Sequence, residues 1–195
     1  MLETFRTGNT TAAAGMGGVG KTMMAAALVR DQEVLAAFDK ICWVSVGQEP
    51  DMLALQSTLH KQLVNKPLPD GAKADEVLAL GELKAAAKDV AVLLVLDDVW
   101  VASHATPLTF VDSLARRSAV VVTTRMRSLL NGAAEVQCGV LSMEASLELL
   151  LRSGGCEQLL DAPPSAALEA VELCGRLPLA LGIAGGIIDE LADHW

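Results

Sequence analysis

The residues that could do chemistry begin at position 15. Gly15-Met16-Gly17-Gly18-Val19-Gly20-Lys21-Thr22 fits the pattern G-x-x-x-x-G-K-[ST]. Its glycines let a backbone curl around an anion with N–H groups turned inward, and a helix starting at Lys21 aims its positive end at the same spot. A phosphate chain is the ligand such a loop takes. Lys21 supplies a point charge for β- and γ-phosphates, and the Thr22 hydroxyl can ligate Mg²⁺. Gly15, Gly17, Gly18, Val19, Gly20, Lys21, Thr22 and Met23 are therefore the expected nucleotide contacts. The plain alternative is a glycine-rich turn with no ligand.

Two further stretches raise the first reading. Leu93-Leu94-Val95-Leu96-Asp97-Asp98 is an apolar run ending in two acids, and ligands bind at this end of strands in a parallel sheet. Asp97 would reach Mg²⁺ through its water shell, and Asp98 could orient or deprotonate an attacking water. Without the upstream loop the pair would read as a solvated turn. Val121-Val122-Thr123-Thr124-Arg125 is a second strand emerging at the same edge. Arg125 there can sense a terminal phosphate by bidentate hydrogen bonding, or pair with a nearby acid.

The elements that must hold these groups follow from periodicity. Buried strands are expected at Thr10–Ala14, Ile41–Val46, Val90–Leu96, Ala119–Thr124 and near Glu135–Cys138, the third and fourth at the sheet's centre. Helical spacing marks Lys21–Arg30, Asp51–Val64, Ala74–Lys88 and Pro107–Arg116. The alternation predicts an α/β fold, a parallel sheet flanked by helices. After Val140 the strand pattern stops, and helices opening at Ser142, Ser165 and Pro178 predict a small all-helical subdomain. The expected division is 1–139 and 140–195.

Composition excludes several classes. A net charge of −9 leaves no general cationic surface for nucleic acid. The apolar window Leu173–Ile188 is broken by Arg176, Pro178 and glycines, so no membrane span is expected, and no secretory signal is expected of a start that carries Glu3 and Arg6. Cytoplasm is the expected compartment. Cys42, Cys138, Cys156 and Cys174 are scattered and read as reduced core thiols, while His60, His104 and His194 read as surface or incidental residues without metal-ligand spacing. Trp43 and Trp100 flank strand ends and read as packing.

Five segments together resemble the NB-ARC domain, the nucleotide switch of plant disease-resistance proteins, apoptotic protease activators and related STAND ATPases. They are GMGGVGKT at Gly15–Thr22, FDKICWVSV at Phe38–Val46, LLVLDDVW at Leu93–Trp100, VVTTR at Val121–Arg125 and GRLPLAL at Gly175–Leu181. The resemblance implies a P-loop NTPase fold with ADP or ATP and Mg²⁺ as cofactors. Lys21 and the loop amides would hold phosphates, Thr22 and Asp97 would serve the metal, Asp98 would be a weak catalytic acid and Arg125 a sensor. It also implies that Pro178 touches the adenine, where spacing alone gives an N-terminal helix proline.

Departures from the family pattern shape the remaining expectations. The strand Thr10-Thr11-Ala12-Ala13-Ala14 is small where a central strand would offer Val, Ile or Leu, which predicts thin packing. Met23 and Met24 follow Thr22 where the family has a second small hydroxyl residue and Leu. The chain is expected to lack the family's winged-helix unit, repeat sensor and effector, unless these belong to a longer parent. The apolar Gly182–Leu191 segment would then be exposed and invite self-association. The expected function is an ADP/ATP switch module with slow hydrolysis, a weak ATPase at most. The competing readings are a degenerate scaffold that binds no nucleotide and a working NTPase or phosphotransferase. For the latter Arg116 and Arg117 are the obvious finger candidates, but they precede a strand on the wrong edge.

Overall fold

The computed structural model describes residues 10–111 and 118–192. Five strands, β1 (Thr10–Ala14), β2 (Lys40–Gly47), β3 (Val92–Val99), β4 (Ala119–Thr124) and β5 (Ala134–Gln137), form one sheet in the order β2-β3-β4-β1-β5. Every pairing is parallel. Side chains alternate across a pleated strand, and β3 shows the consequence. Leu93 and Val95 face one core with Ala25, Leu28, Val34 and Phe38, contributed by α1 (Lys21–Leu28), α2 (Gln32–Ala37) and the residue after it. Leu94 and Leu96 face the other core, with Leu59, Leu63 and Leu83 from α3 (Met52–Val64) and α4 (Glu76–Ala86). A strand covered on both faces must be apolar at every position, as β3 is until its acids.

Helix starts are set by side-chain caps that satisfy otherwise unpaired N–H groups. Asp51 accepts from Ala54 N at 3.0 Å, and Asp75 accepts from Val77 N at 2.8 Å and Leu78 N at 3.0 Å. Asp31 accepts from Glu33 N at 2.8 Å and starts α2, a short helix that the periodicity did not predict. Asn65, left-handed at φ 56°, ends α3 with its N–H on the Lys61 carbonyl.

The alanine-rich β1 forms with partners on both sides. Thr10 to Ala14 pair with Val120 to Thr124, and Thr11 to Ala14 pair with Ala134 to Gln137. Ala12, Ala13 and Ala14 are buried. Two complete backbone ladders hold this strand where its side chains offer little area.

Three sequence expectations change. β3 does not stop at Leu96 but continues through both acids to Val99. The helix expected at Pro107–Arg116 does not form at its start. A four-residue helix, α5 (Ala102–Ala105), passes into a single 3-10 turn, Thr106–Leu108, and residues 109–111 are not helical. Pro107 has no N–H to continue the ladder of α5, and the Thr109 N–H and hydroxyl both donate to the Ala105 carbonyl, at 3.0 and 2.8 Å, closing the turn. Residues 112–116 of that expectation lie outside the described residues, as does Arg117. His60 is buried, not superficial: it shares a face of α3 with Gln56, Leu59 and Leu63, and its Nδ1 lies 2.9 Å from the Lys66 carbonyl.

The described chain divides into two compact units. One comprises β1 with Gly15 and the described residues from Lys21 to Gln137. The other comprises loop residues Met16–Gly20 and the described residues from Cys138 onward. Its core is Leu150, Leu151, Ala167, Val171 and Leu181, from α6 (Met143–Ser153), α7 (Ser165–Leu173) and α8 (Pro178–Ala192). Ser142 caps α6 by accepting from Ala145 N at 3.2 Å. Leu179, Ile183, Ile187 and Leu191 recur at every fourth position of α8 and are exposed. Among the described residues no helix is long and apolar enough to cross a membrane.

Candidate phosphate-binding site

The chain leaves β1 at Ala14, turns through Gly15–Gly20 and enters α1 at Lys21. Two of the loop glycines are required by backbone conformation: Gly18 lies at φ 79° and Gly20 at φ 94°, values that a side chain strains. Gly15 N–H donates to the Thr124 carbonyl at 3.2 Å, tying the loop's first residue to the end of β4. Lys21, though charged, is 8% exposed, and its Nζ donates to the Gly15 carbonyl at 2.8 Å. A buried ammonium tied back to the loop mouth is an arrangement suited to an anion.

Thr22, one residue into α1, donates its hydroxyl hydrogen to Asp97 Oδ1 at 2.8 Å. Asp97 is buried at the end of β3, and the same oxygen accepts from Thr123 Oγ1 at 2.6 Å. Thr123 Oγ1 in turn accepts from the Asp98 backbone N–H at 2.8 Å. The pairing explains this chain of contacts. Leu96 pairs with Val122 and Val99 with Thr124, so Asp97 and Asp98 together oppose one residue, Thr123. This is a β-bulge, with Asp98 at φ 55°. In a regular strand successive side chains point to opposite faces; the bulge redirects the second acid.

Asp98 is turned toward a different set of groups. Its Oδ2 accepts from the Trp100 indole N–H at 3.0 Å, and its Oδ1 lies 3.7 Å from Arg125 Nε. The Arg125 guanidinium carbon sits 4.8 Å from the centroid of the Trp100 ring. That distance is within the range of a cation–π contact. Trp100, read from the sequence as packing alone, thus bonds both the second acid and, through its face, the arginine.

The structure therefore brings Gly15, Lys21, Thr22, Asp97, Asp98 and Arg125 to one edge of the parallel sheet. Gly17, Gly18, Val19 and Gly20 complete the loop, and Met23 is exposed on the first turn of α1. Pro178 is the first residue of α8, and Leu179 N–H, an orphan donor of that helix start, donates to the Gly18 carbonyl at 3.2 Å. A Cβ on Gly20 would stand 3.9 Å from Pro178 Cγ. Leu181, one turn further on, is fully buried and fixes α8 in its own core.

Two residues escaped the sequence reading. Thr123 lies inside a motif quoted for its arginine, and only the bulge reveals that its hydroxyl joins both acids. The signal for Trp100 was its spacing, two residues beyond an acid at a strand end.

A buried lysine at a glycine loop, followed by a hydroxyl bonded to a strand-end carboxylate, fits a nucleotide's phosphates with Mg²⁺. Comparison with known proteins agrees in family and fold. The NB-ARC domain model matches residues 5–159. Apoptotic protease-activating factor 1 of Danio rerio is 30% identical over 93% of this chain, which spans 15% of that protein. A probable disease resistance RPP8-like protein 2 of Arabidopsis thaliana is 30% identical over 89% of this chain and spans 20% in turn. The chain thus covers about a fifth or less of these two relatives. Among solved structures, a signal transduction ATPase with numerous domains (STAND) from Pyrococcus horikoshii, with a tetratricopeptide repeat sensor, aligns over 89% of this chain and 26% of its own. The TM-score is 0.59 at 19% identity, a likeness of fold. Drosophila ORC bound to DNA aligns at TM-score 0.57 and 15% identity, over 95% of this chain and 51% of that one. On the extent of the family match and the motifs within it, this chain belongs to the NB-ARC domain family.

Proposed function

We propose that this chain is the ADP/ATP-binding switch module of a longer signalling protein. The carrying observation is the continuous contact from Thr22 through Asp97 to Thr123, which ties the phosphate loop's helix to the strand that leads into Arg125. A switch needs contacts that differ between its two ligand states. In this reading Lys21 and the loop amides hold the phosphates common to ADP and ATP, and Arg125 senses the terminal phosphate that only ATP carries. Thr22 and Asp97 would hold Mg²⁺, which when bound offsets phosphate charge. Pro178 is the proposed adenine contact, and Gly15 through Met23 line the phosphates.

Hydrolysis is proposed to be slow. The Asp98 carboxylate, the group placed to act on a water, already accepts from Trp100 and faces Arg125. A base held in two contacts suits a timer more than a turnover enzyme. The names of the curated relatives, an apoptotic protease-activating factor and disease resistance proteins, support a defence or cell-death role for the parent, with sensor and effector domains elsewhere in it. The cytoplasm is the proposed compartment, and cysteines held as thiols rather than disulfides suit its reducing conditions. Self-association through the exposed face of α8 is also proposed, supported by its apolar stripe. The scaffold reading rested on weak packing of β1, and the two complete ladders of β1 favour a competent loop instead.

Thermal unfolding with and without Mg·ADP tests the proposal. A ligand at a hundred times its dissociation constant stabilises the native state by about 2.7 kcal/mol. A rise in melting temperature that saturates with ADP is expected; an unchanged melting temperature across millimolar ADP would contradict nucleotide binding.

A further inference from the structure

We propose that Trp100 is a positioning residue for Arg125, and that it tunes how strongly the module prefers a nucleoside triphosphate over a diphosphate. The inference rests on the nucleotide reading above and extends it to a residue that none of the motif chemistry assigns. Three contacts carry it. The Trp100 ring lies under the Arg125 guanidinium, with 4.8 Å between ring centroid and Cζ. The indole N–H is fixed on Asp98 Oδ2 at 3.0 Å, which sets the plane of that ring. The other oxygen of the same carboxylate faces Arg125 Nε at 3.7 Å.

An arginine side chain is long and loses considerable rotamer freedom when it is ordered. Arg125 is half-exposed, so packing alone does not order it. The indole covers one face of the guanidinium, and Asp98 engages its Nε side. These constraints leave the edge bearing the two terminal nitrogens to make the paired hydrogen bonds that a phosphate accepts. Ordering the group before the ligand arrives lowers the entropy lost on binding. That gain applies only to a ligand that reaches Arg125. A diphosphate held by Lys21 and the loop would not feel it.

The bulge supplies the geometry. Asp98 at φ 55° directs its carboxylate toward Trp100, two residues along, while Asp97 stays with Thr22 and Thr123. The two neighbouring acids thus serve different partners, one toward the loop and one toward the Trp100–Arg125 pair.

The test measures the affinities of Mg·ADP and of Mg·AMP-PNP, a hydrolysis-resistant triphosphate, in the parent and in five variants. Trp100→Leu is expected to weaken AMP-PNP about two- to fivefold, the worth of an exposed cation–π contact, with ADP unchanged. Trp100→Phe, which keeps a ring face, should recover most of the loss. Arg125→Lys, which keeps the charge but not the planar fork, should lose the triphosphate preference without touching Trp100. Placing Trp100→Leu in an Arg125→Gln background should produce no further change, because coupled residues are not additive. The proposal is overturned if Trp100→Leu leaves the AMP-PNP to ADP ratio at the parental value, if it weakens both nucleotides equally, or if it still alters the ratio without Arg125. A parent that binds ADP but does not distinguish AMP-PNP refutes the sensing role and this inference, while nucleotide binding stands. A parent that binds neither refutes the nucleotide reading, and this inference with it. If Trp100→Leu does not fold, the Phe and Arg125→Lys variants decide: a parental ratio in Arg125→Lys overturns the proposal.

Discussion

The Thr123 hydroxyl donates to Asp97 Oδ1 at 2.6 Å from the position across the strand pairing, where one residue of β4 faces two of β3. A single oxygen of Asp97 is thereby shared between the strand that leads into Arg125 and the helix that begins with Lys21 and Thr22. The same hydroxyl accepts from the Asp98 N–H, so it fixes the backbone of one acid and the side chain of the other.

Replacing Thr123 by Val removes that hydroxyl at nearly constant volume. The Asp98 N–H loses its acceptor and Asp97 loses a donor inside a buried site, a cost of about 1–3 kcal/mol. Chemical denaturation should show a lower midpoint with unchanged slope, and Mg·ATP affinity should fall more than that of metal-free ADP. A midpoint at the parental value would show that the bulge does not depend on this contact.

Packing within the helical unit makes a sharper test than most surface positions allow. A Cβ at Gly185 of α8 would lie 2.8 Å from the Leu150 carbonyl oxygen and 3.0 Å from the Ser153 carbonyl carbon of α6, and against Ser153 Cβ. A Cβ at Gly186 would meet nothing within 4 Å. Ala is the better helix former by about 1 kcal/mol. At Gly186 that gain should appear as a raised melting temperature. At Gly185 backbone atoms cannot give way cheaply, so Gly185→Ala should destabilise by about 1–3 kcal/mol. Equal effects at the two glycines would contradict the close approach of α6 and α8.

Burial pushes the Cys42 thiol up to about 11, against a smaller opposing influence from Lys40. The thiol therefore stays protonated through the range where a free cysteine begins to ionise. The native protein at pH 8 should leave Cys42 unlabelled by a thiolate-selective reagent, with labelling only in denaturant. Because the unfolded chain ionises first, this group's contribution to stability is complete below about pH 9 and declines as pH rises toward 11. Rapid native labelling of Cys42, located by peptide mapping, would contradict its place in the sheet's core.

Much of this architecture is legible in the sequence because each level repeats one message. The continuous apolar runs at β3 and β4 admit only covered strands, and their acidic and basic endings mark the ligand edge. The loop at Gly15–Thr22 is legible because backbone conformation and charge both constrain it. The bulge is not legible: nothing in Leu-Asp-Asp-Val-Trp says that two residues will face one, since pairing register is a property of two strands. The links from Thr123 to both acids and from Trp100 to Arg125 follow from that register and stay hidden with it. His60 was misplaced for a related reason. Its polar partner, the carbonyl of Lys66, is one that a hydrophobic pattern does not count. The helix expected after Pro107 fails where a four-residue helix and a 3-10 turn end against Thr109, a local chain ending that periodicity averages away.

The most direct measurement is calorimetric titration of Mg·ADP into the parent chain and into Lys21→Ala. Lys21 is buried at the loop mouth, and a charge-assisted contact to phosphate is worth about 1.5–3 kcal/mol. The account predicts one site per chain in the parent and an affinity at least about tenfold weaker in the variant. Identical isotherms for the two proteins, or no heat of binding in the parent at any ADP concentration, would contradict it.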